Sequence, residues 1–183
     1  MLKGFDKLPS TQVGLIAERI VQEHLKRLGT HIHTHPDLEY RPSHDFTVSI
    51  EGKVSKVEVK GDNFPGKSRN IPIEARQANL NNILVDSGIR TTKSEYFMVY
   101  CFRYDTLYTF KVADFKRYLA SGYISDKDLR LCNEKSETGK TECYFLDIVS
   151  LESDEFFYRV EEGVLSKLAP NIRNNILNIL SSI

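Results

Sequence analysis

An α/β architecture around a mixed sheet is the fold class that the sequence predicts, and three observations predict it. A run of helical periodicity opens the chain, a hairpin of alternating strands follows, and a later aromatic strand leads into a second amphipathic helix. At 183 residues and 21.0 kDa, the chain suits one domain with a small appendage. With 40% hydrophobic and 27% charged residues it is too apolar for a disordered chain.

The first helix rests on Val13, Ala17, Ile20, Val21, Leu25 and Leu28, which recur at helical spacing after Ser10 and before Gly29. THIHT then suggests a short strand with His31, His33 and His35 on one side. These imidazoles would span roughly 13 Å, too far for all three to share one metal on a straight strand. HDFTVSI, the turn EGK and VSKVEVKG read as a hairpin. DNFPGKSRNIP is rich in turn formers, and IEARQANLNNILVDSG is expected to be a helix ending at Gly88. YFMVYCFRY and TLYTFKV read as paired strands, and VADFKRYLASG as a helix closed by Gly122. After Tyr123 the pattern loosens, although CYFLDIVSL suits a strand and NIRNNILNILSSI an amphipathic helix behind Pro170. Residues 1–122 are therefore expected to form the core. Residues 123–183 are expected to form a C-terminal extension that packs on it or makes an oligomer contact.

Twenty-five Lys and Arg cancel twenty-five Asp and Glu, so there is no general pull toward a polyanion. The distribution is uneven: residues 56–93 carry a balance of +3 and residues 125–162 a balance of −6. Only the middle segment suits contact with phosphate. Cys101 reads as a buried thiol, and Cys132 and Cys143 make neither a zinc knuckle nor a disulfide framework, which points to a reducing compartment. The opening MLKGFDKLPS has no apolar targeting core and no segment is long enough to span a bilayer, so a cytoplasmic protein with no membrane partner is expected.

VEVKGD, residues 57–62, carries the chemistry. Strand alternation puts Val57 and Val59 on one face and Glu58 and Lys60 on the other. Asp45 lies across the turn at Glu51 and Gly52, so the hairpin can bring it beside Glu58 if the register allows. Two carboxylates at that range suit a hard cation such as Mg²⁺, and a lysine on the same face can orient water and offset charge on phosphorus. The simpler reading of the same residues is the wet face of an ordinary hairpin.

GLIAERIVQEHLKRLG, RPSHD and VEVKG in this order resemble the PD-(D/E)XK nuclease superfamily, which holds many type II restriction enzymes and the archaeal Holliday-junction resolvases. The matching positions are Glu18, Asp45, Glu58 and Lys60, with Pro42 three residues before Asp45. The resemblance covers about residues 12–119. It implies a restriction-endonuclease-like core: a central mixed four-stranded sheet flanked by helices, followed here by the C-terminal extension. It also implies Asp45, Glu58, Lys60, Glu18 and Gln77 as catalytic residues, with Asp45, Glu58 and Glu18 on Mg²⁺ or its substitute Mn²⁺. Lys67, Arg69 and Arg76 would then clamp phosphates. Asn70 and Asn79 belong to a group of asparagines able to read adenine edges.

The expectation is thus a Mg²⁺-dependent endonuclease hydrolysing DNA, sequence-specific in the manner of a restriction enzyme, with double-stranded or branched DNA as partner and a homodimer as the working form. One alternative is a structure-specific, junction-resolvase-like nuclease. Another is a noncatalytic DNA-binding or assembly protein with the same fold, for which the net charge of zero speaks. No Walker-type loop marks an ATP-driven motor.

Overall fold

The computed structural model describes residues 10–34, 44–50, 52–62, 70–132, 140–148, 151 and 156–181. Helix α1 (Ser10–Arg27) buries Val13, Ile16, Ala17, Ile20, Val21 and Leu25, the stripe that its periodicity marks. Gly29, at φ +79°, takes the left-handed conformation that stops it. The strands β1 (Ile32–Thr34), β2 (Phe46–Ile50), β3 (Lys53–Asp62), β6 (Tyr96–Cys101), β7 (Thr106–Lys111) and β10 (Arg159–Glu162) form one sheet, in the order β1-β2-β3-β6-β7-β10. Only β3 and β6 run parallel; the other neighbours are antiparallel.

The expectation of a mixed sheet holds, but the sheet has six strands rather than four. β2-β3-β6-β7 is its centre, and β1 and β10 extend it by taking up the edge hydrogen bonds of β2 and β7. Both edge strands are short and polar, so their sequences carry little strand signal.

A second, antiparallel sheet has the order β5-β4-β9-β8, built from β4 (Asn70–Ala78), β5 (Leu84–Asp86), β8 (Leu129–Cys132) and β9 (Thr141–Asp147). It corrects the helix expected from Ile73 to Gly88. Ile71, Ile73 and Ala75 are buried at a period of two, with Pro72 and Glu74 between them. The Glu, Arg, Gln and Ala of this stretch favour helix, but pairing with β9 overrides that preference. At its end Asn79 Oδ1 accepts from the backbone N–H groups of Asn81 and Ile83, each at 3.0 Å, and Asn82 adopts φ +59°. These residues turn the chain back into β5 where a helix would have continued.

The six-stranded sheet therefore lies between two cores. On one face Phe46, Val48, Val57, Val59, Met98 and Tyr100 pack against α1, joined by Ile176 of α3 (Pro170–Ser181). On the other, Phe97, Val99 and Phe110 meet Ile71, Ile73, Tyr144 and Leu146 of the second sheet and Phe115 of α2 (Val112–Ala120). Each such fully buried side chain is worth about 1.5–3 kcal/mol against exposure.

Two polar ties hold the late segment to the rest. Asp105, in the β6–β7 turn, accepts from the Tyr100 hydroxyl at 2.7 Å and from the backbone N–H groups of Leu165 and Ser166 at 2.7 and 3.0 Å. Buried His24 of α1 meets Glu161 of β10 at 2.9 Å. Among the described residues no helix is long and apolar enough to cross a membrane.

Candidate active site

The alternation in VEVKGD is realised on β3. Val57 and Val59 are buried under α1, whereas Glu58 and Lys60 stand on the opposite face beside Phe97 and Val99 of β6. Gly61 is required where α1 crosses. A Cβ there would lie 2.9 Å from both the Val13 carbonyl oxygen and Cγ1, and 3.0 Å from the Ala17 Cβ. The helix thus sits directly on the strand that carries the charged pair. The Lys60 ammonium is 2.8 Å from Glu58 Oε1, with the two side chains 40% and 14% exposed.

The hairpin register pairs Phe46 with Val57 and Thr47 with Lys56. Continued by one residue, it sets Asp45 opposite Glu58. The Asp45 backbone N–H donates to the Val57 carbonyl at 2.9 Å, and its Oδ2 accepts from the Val59 N–H at 2.6 Å. β2 begins only at Phe46, so the Asp45 carboxylate takes the place of a backbone acceptor just past the end of the ladder. That bond fixes the side chain against β3 at the level of Glu58.

Charge is concentrated there. Burial raises the Glu58 pKa above its ordinary value; Lys60 opposes this by attraction and a hydrogen bond, while repulsion from Asp45 and Glu74 adds to it, and the net direction is upward. Burial alone would lower the Lys60 ammonium, but attraction and hydrogen bonding to Glu58, then attraction to Asp45 and Glu74, hold it above its ordinary value. The site is a group of carboxylates around one lysine, with more negative charge than that lysine offsets.

Asp45, Glu58 and Lys60 thus come together; Glu74 of β4 acts on them through its charge, while its Oε1 accepts from the Ser87 hydroxyl at 2.6 Å. Glu18 is half-buried on α1, which packs on the valine face of β3, away from the face of Glu58 and Lys60. Gln77 lies toward the far end of β4, paired with Thr141 and Val85. Arg76 meets Glu142, Asp126 and Asp86 at 3.2, 3.5 and 3.6 Å, so three carboxylates already balance its charge. The Asn79 side-chain oxygen is engaged in the β4–β5 turn, and Asn70 begins β4 opposite Asp147. Lys67, Arg69 and Pro42 lie outside the described residues.

The alternation of Ile71, Ile73 and Ala75 is the signal that separates Glu74 from the buried face of β4. The Cys132 and Cys143 sulfurs are 2.8 Å apart across β8 and β9, a pairing for which the sequence spacing offered no sign.

No family model matches the chain, and neither does any curated protein. Among solved structures it is similar to a bacterial homing endonuclease, with 23% identity over 60% of this chain and 74% of that one and a TM-score of 0.49. A likeness of this size adds nothing to what the site's own geometry supports.

Proposed function

We propose that the protein is a metal-dependent endonuclease that hydrolyses DNA phosphodiester bonds, built on the PD-(D/E)XK plan. The observation that carries this reading is the convergence of Asp45, Glu58 and Lys60 across the β2–β3 ladder. The donors fit a hard divalent ion such as Mg²⁺ or Mn²⁺: they are carboxylate oxygens, and the Glu58 pKa is raised first by burial and further by repulsion from Asp45, which a cation would relieve. Among the described residues no three His, Cys, Asp or Glu side chains form a ready metal cage.

In this reading Asp45 and Glu58 hold the ion, and Glu18, on the other face of β3, is not among its ligands. Bound there, the ion supplies Lewis-acid assistance and lowers the pKa of a water. Lys60 presents its N–H groups to the attacking water and to the phosphate oxygens as charge builds on them, and the buried valines beneath keep it in place. Residues 1–122 carry this chemistry, and residues 123–183 support it. Two copies acting together would cut both strands at a specific sequence, or at a branched junction.

A noncatalytic DNA-binding role is the second reading. The net charge of zero favours it or a noncatalytic assembly role on the same fold. Incubation of the full chain with supercoiled plasmid and with branched duplexes, with and without Mg²⁺, decides between them. Metal-dependent nicking abolished in both Glu58→Gln and Lys60→Ala supports the enzyme; DNA binding without cleavage by wild type across both substrate sets rejects it.

A further inference from the structure

A second charged site lies apart from the carboxylates. A cavity of about 640 Å³ opens where β3 and β6 begin and β7 passes into α2, and four lysines line it: Lys53, Lys93, Lys111 and Lys116. Glu95 is the acidic residue in its wall, and its carboxylate accepts a hydrogen bond from the Lys56 backbone N–H. Val112 and Ala113, the first residues of the nine-residue α2, also face the cavity. No side chain caps α2 at Lys111, and the Asp114 carboxylate of its first turn pairs with Arg117 at 3.3 Å. The Val112 N–H already donates to the Glu95 carbonyl at 3.0 Å, so the positive end of the helix dipole adds to the lysines through the N–H groups that follow it.

Ser94 supplies an independent observation. It belongs to the same wall and is 5% exposed, and its Oγ, enclosed within that wall, has no hydrogen-bond partner among the described residues. A buried hydroxyl left unpaired is destabilising unless something completes it. Lysines, helix N–H groups and an unpaired hydroxyl together suit an anion that accepts several hydrogen bonds. The volume exceeds what inorganic phosphate needs and lies in the range of pockets for nucleotide-sized molecules.

We infer that this cavity binds a phosphate group carried on a nucleotide, either free or at the end of a nucleic-acid strand. The inference does not depend on the nuclease reading. Ser55, on its wall, is three residues before Glu58 and on the opposite face of β3, so the two sites are separate.

The test is titration of the full chain, followed by calorimetry and amide chemical shifts, with four probes: inorganic phosphate, deoxyadenosine 5′-monophosphate, a 5′-phosphorylated DNA duplex and the same duplex with 5′-hydroxyl ends. Binding of the mononucleotide indicates a free nucleotide as the source. Preference for the phosphorylated over the hydroxyl duplex, without mononucleotide binding, indicates a strand end. Either way the shifts should centre on Ser94 and Ala113, and affinity should fall as salt rises. Ser94→Ala should weaken binding roughly tenfold without lowering the melting temperature, because it removes an unpaired group from the free protein. Lys93→Ala with Lys116→Ala should weaken it further. Absence of binding by both phosphorylated nucleotide probes, shifts centred elsewhere, or affinity unchanged in both variants overturns the assignment.

Discussion

The Lys60 ammonium lies 2.8 Å from the Glu58 carboxylate, both on the face of β3 turned away from α1. Residues i and i+2 of a strand share a face, so the contact follows from alternation alone. Lys60 is the group that opposes the rise of the Glu58 pKa. In Lys60→Ala the Glu58 pKa should therefore climb further, which a carboxyl ¹³C titration would detect. Cleavage should fall on the order of 10²-fold or more while DNA affinity changes only a few-fold. Parallel losses of binding and cleavage would assign Lys60 to DNA contact instead.

Glu58 itself works against the fold once ionised. Its folded pKa lies above the unfolded value of 4.5, so the folded state binds the proton more tightly. Its favourable contribution is complete below the unfolded pKa and is lost as pH rises through the folded one. Glu58→Gln should consequently melt at a higher temperature than wild type near neutral pH, with the difference vanishing in acid, while cleavage is abolished. A variant that melts lower at neutral pH would contradict this electrostatic account.

Asp45 serves the backbone as well as the proposed chemistry, and two substitutions separate the roles. Asp45→Asn keeps an oxygen for the Val59 N–H and should unfold within about 1 kcal/mol of wild type. Asp45→Ala leaves that N–H without its acceptor and should cost about 2 kcal/mol in urea titrations. Both should lose cleavage by roughly 10²-fold or more, since neither retains the charge. Full activity in Asp45→Asn would confine the residue to its structural part.

Gly61 connects packing to the site. Alanine there would meet the Val13 backbone at 2.9 Å and force α1 away from β3. Gly61→Ala should lose about 1–3 kcal/mol and reduce cleavage through displacement of Lys60. Unchanged melting would mean that the helix yields without effect.

Far from the site, Glu161 gives the opposite pH response. Burial would raise its pKa, but the His24 hydrogen bond and attraction, with help from Arg159 and Lys167, bring it below the ordinary value. Its stabilising contribution is present above the unfolded pKa of 4.5 and is lost as pH falls through the lowered folded value. Glu161→Gln should thus cost about 1–2 kcal/mol near neutral pH, with the gap closing in acid. A gap independent of pH would show that packing, not charge, holds β10 to α1.

The sequence by itself determined what local periodicity can encode. The stripe of Val13, Ala17 and Ile20 defined α1, the alternation of Val57 and Val59 defined β3 and the face of its charged pair, and YFMVYCF defined the central strand β6. The turn at Gly52 also allowed Asp45 to meet Glu58, although alternation left the register open. Tertiary structure decided that register: burying Phe46 and Val48 together with Val57 and Val59 under α1 excludes a one-residue slip, and the bonds of Asp45 to Val57 and Val59 fix the remaining choice. It also turned residues 70–86 into strands, since pairing with β9, some seventy positions later, outweighs a local preference for helix. Glu74 was set on the less buried face of β4, and Arg76 was drawn into an acidic network, by that same pairing. Contacts between distant segments leave no periodic mark on either one, and so they became visible only in the folded chain.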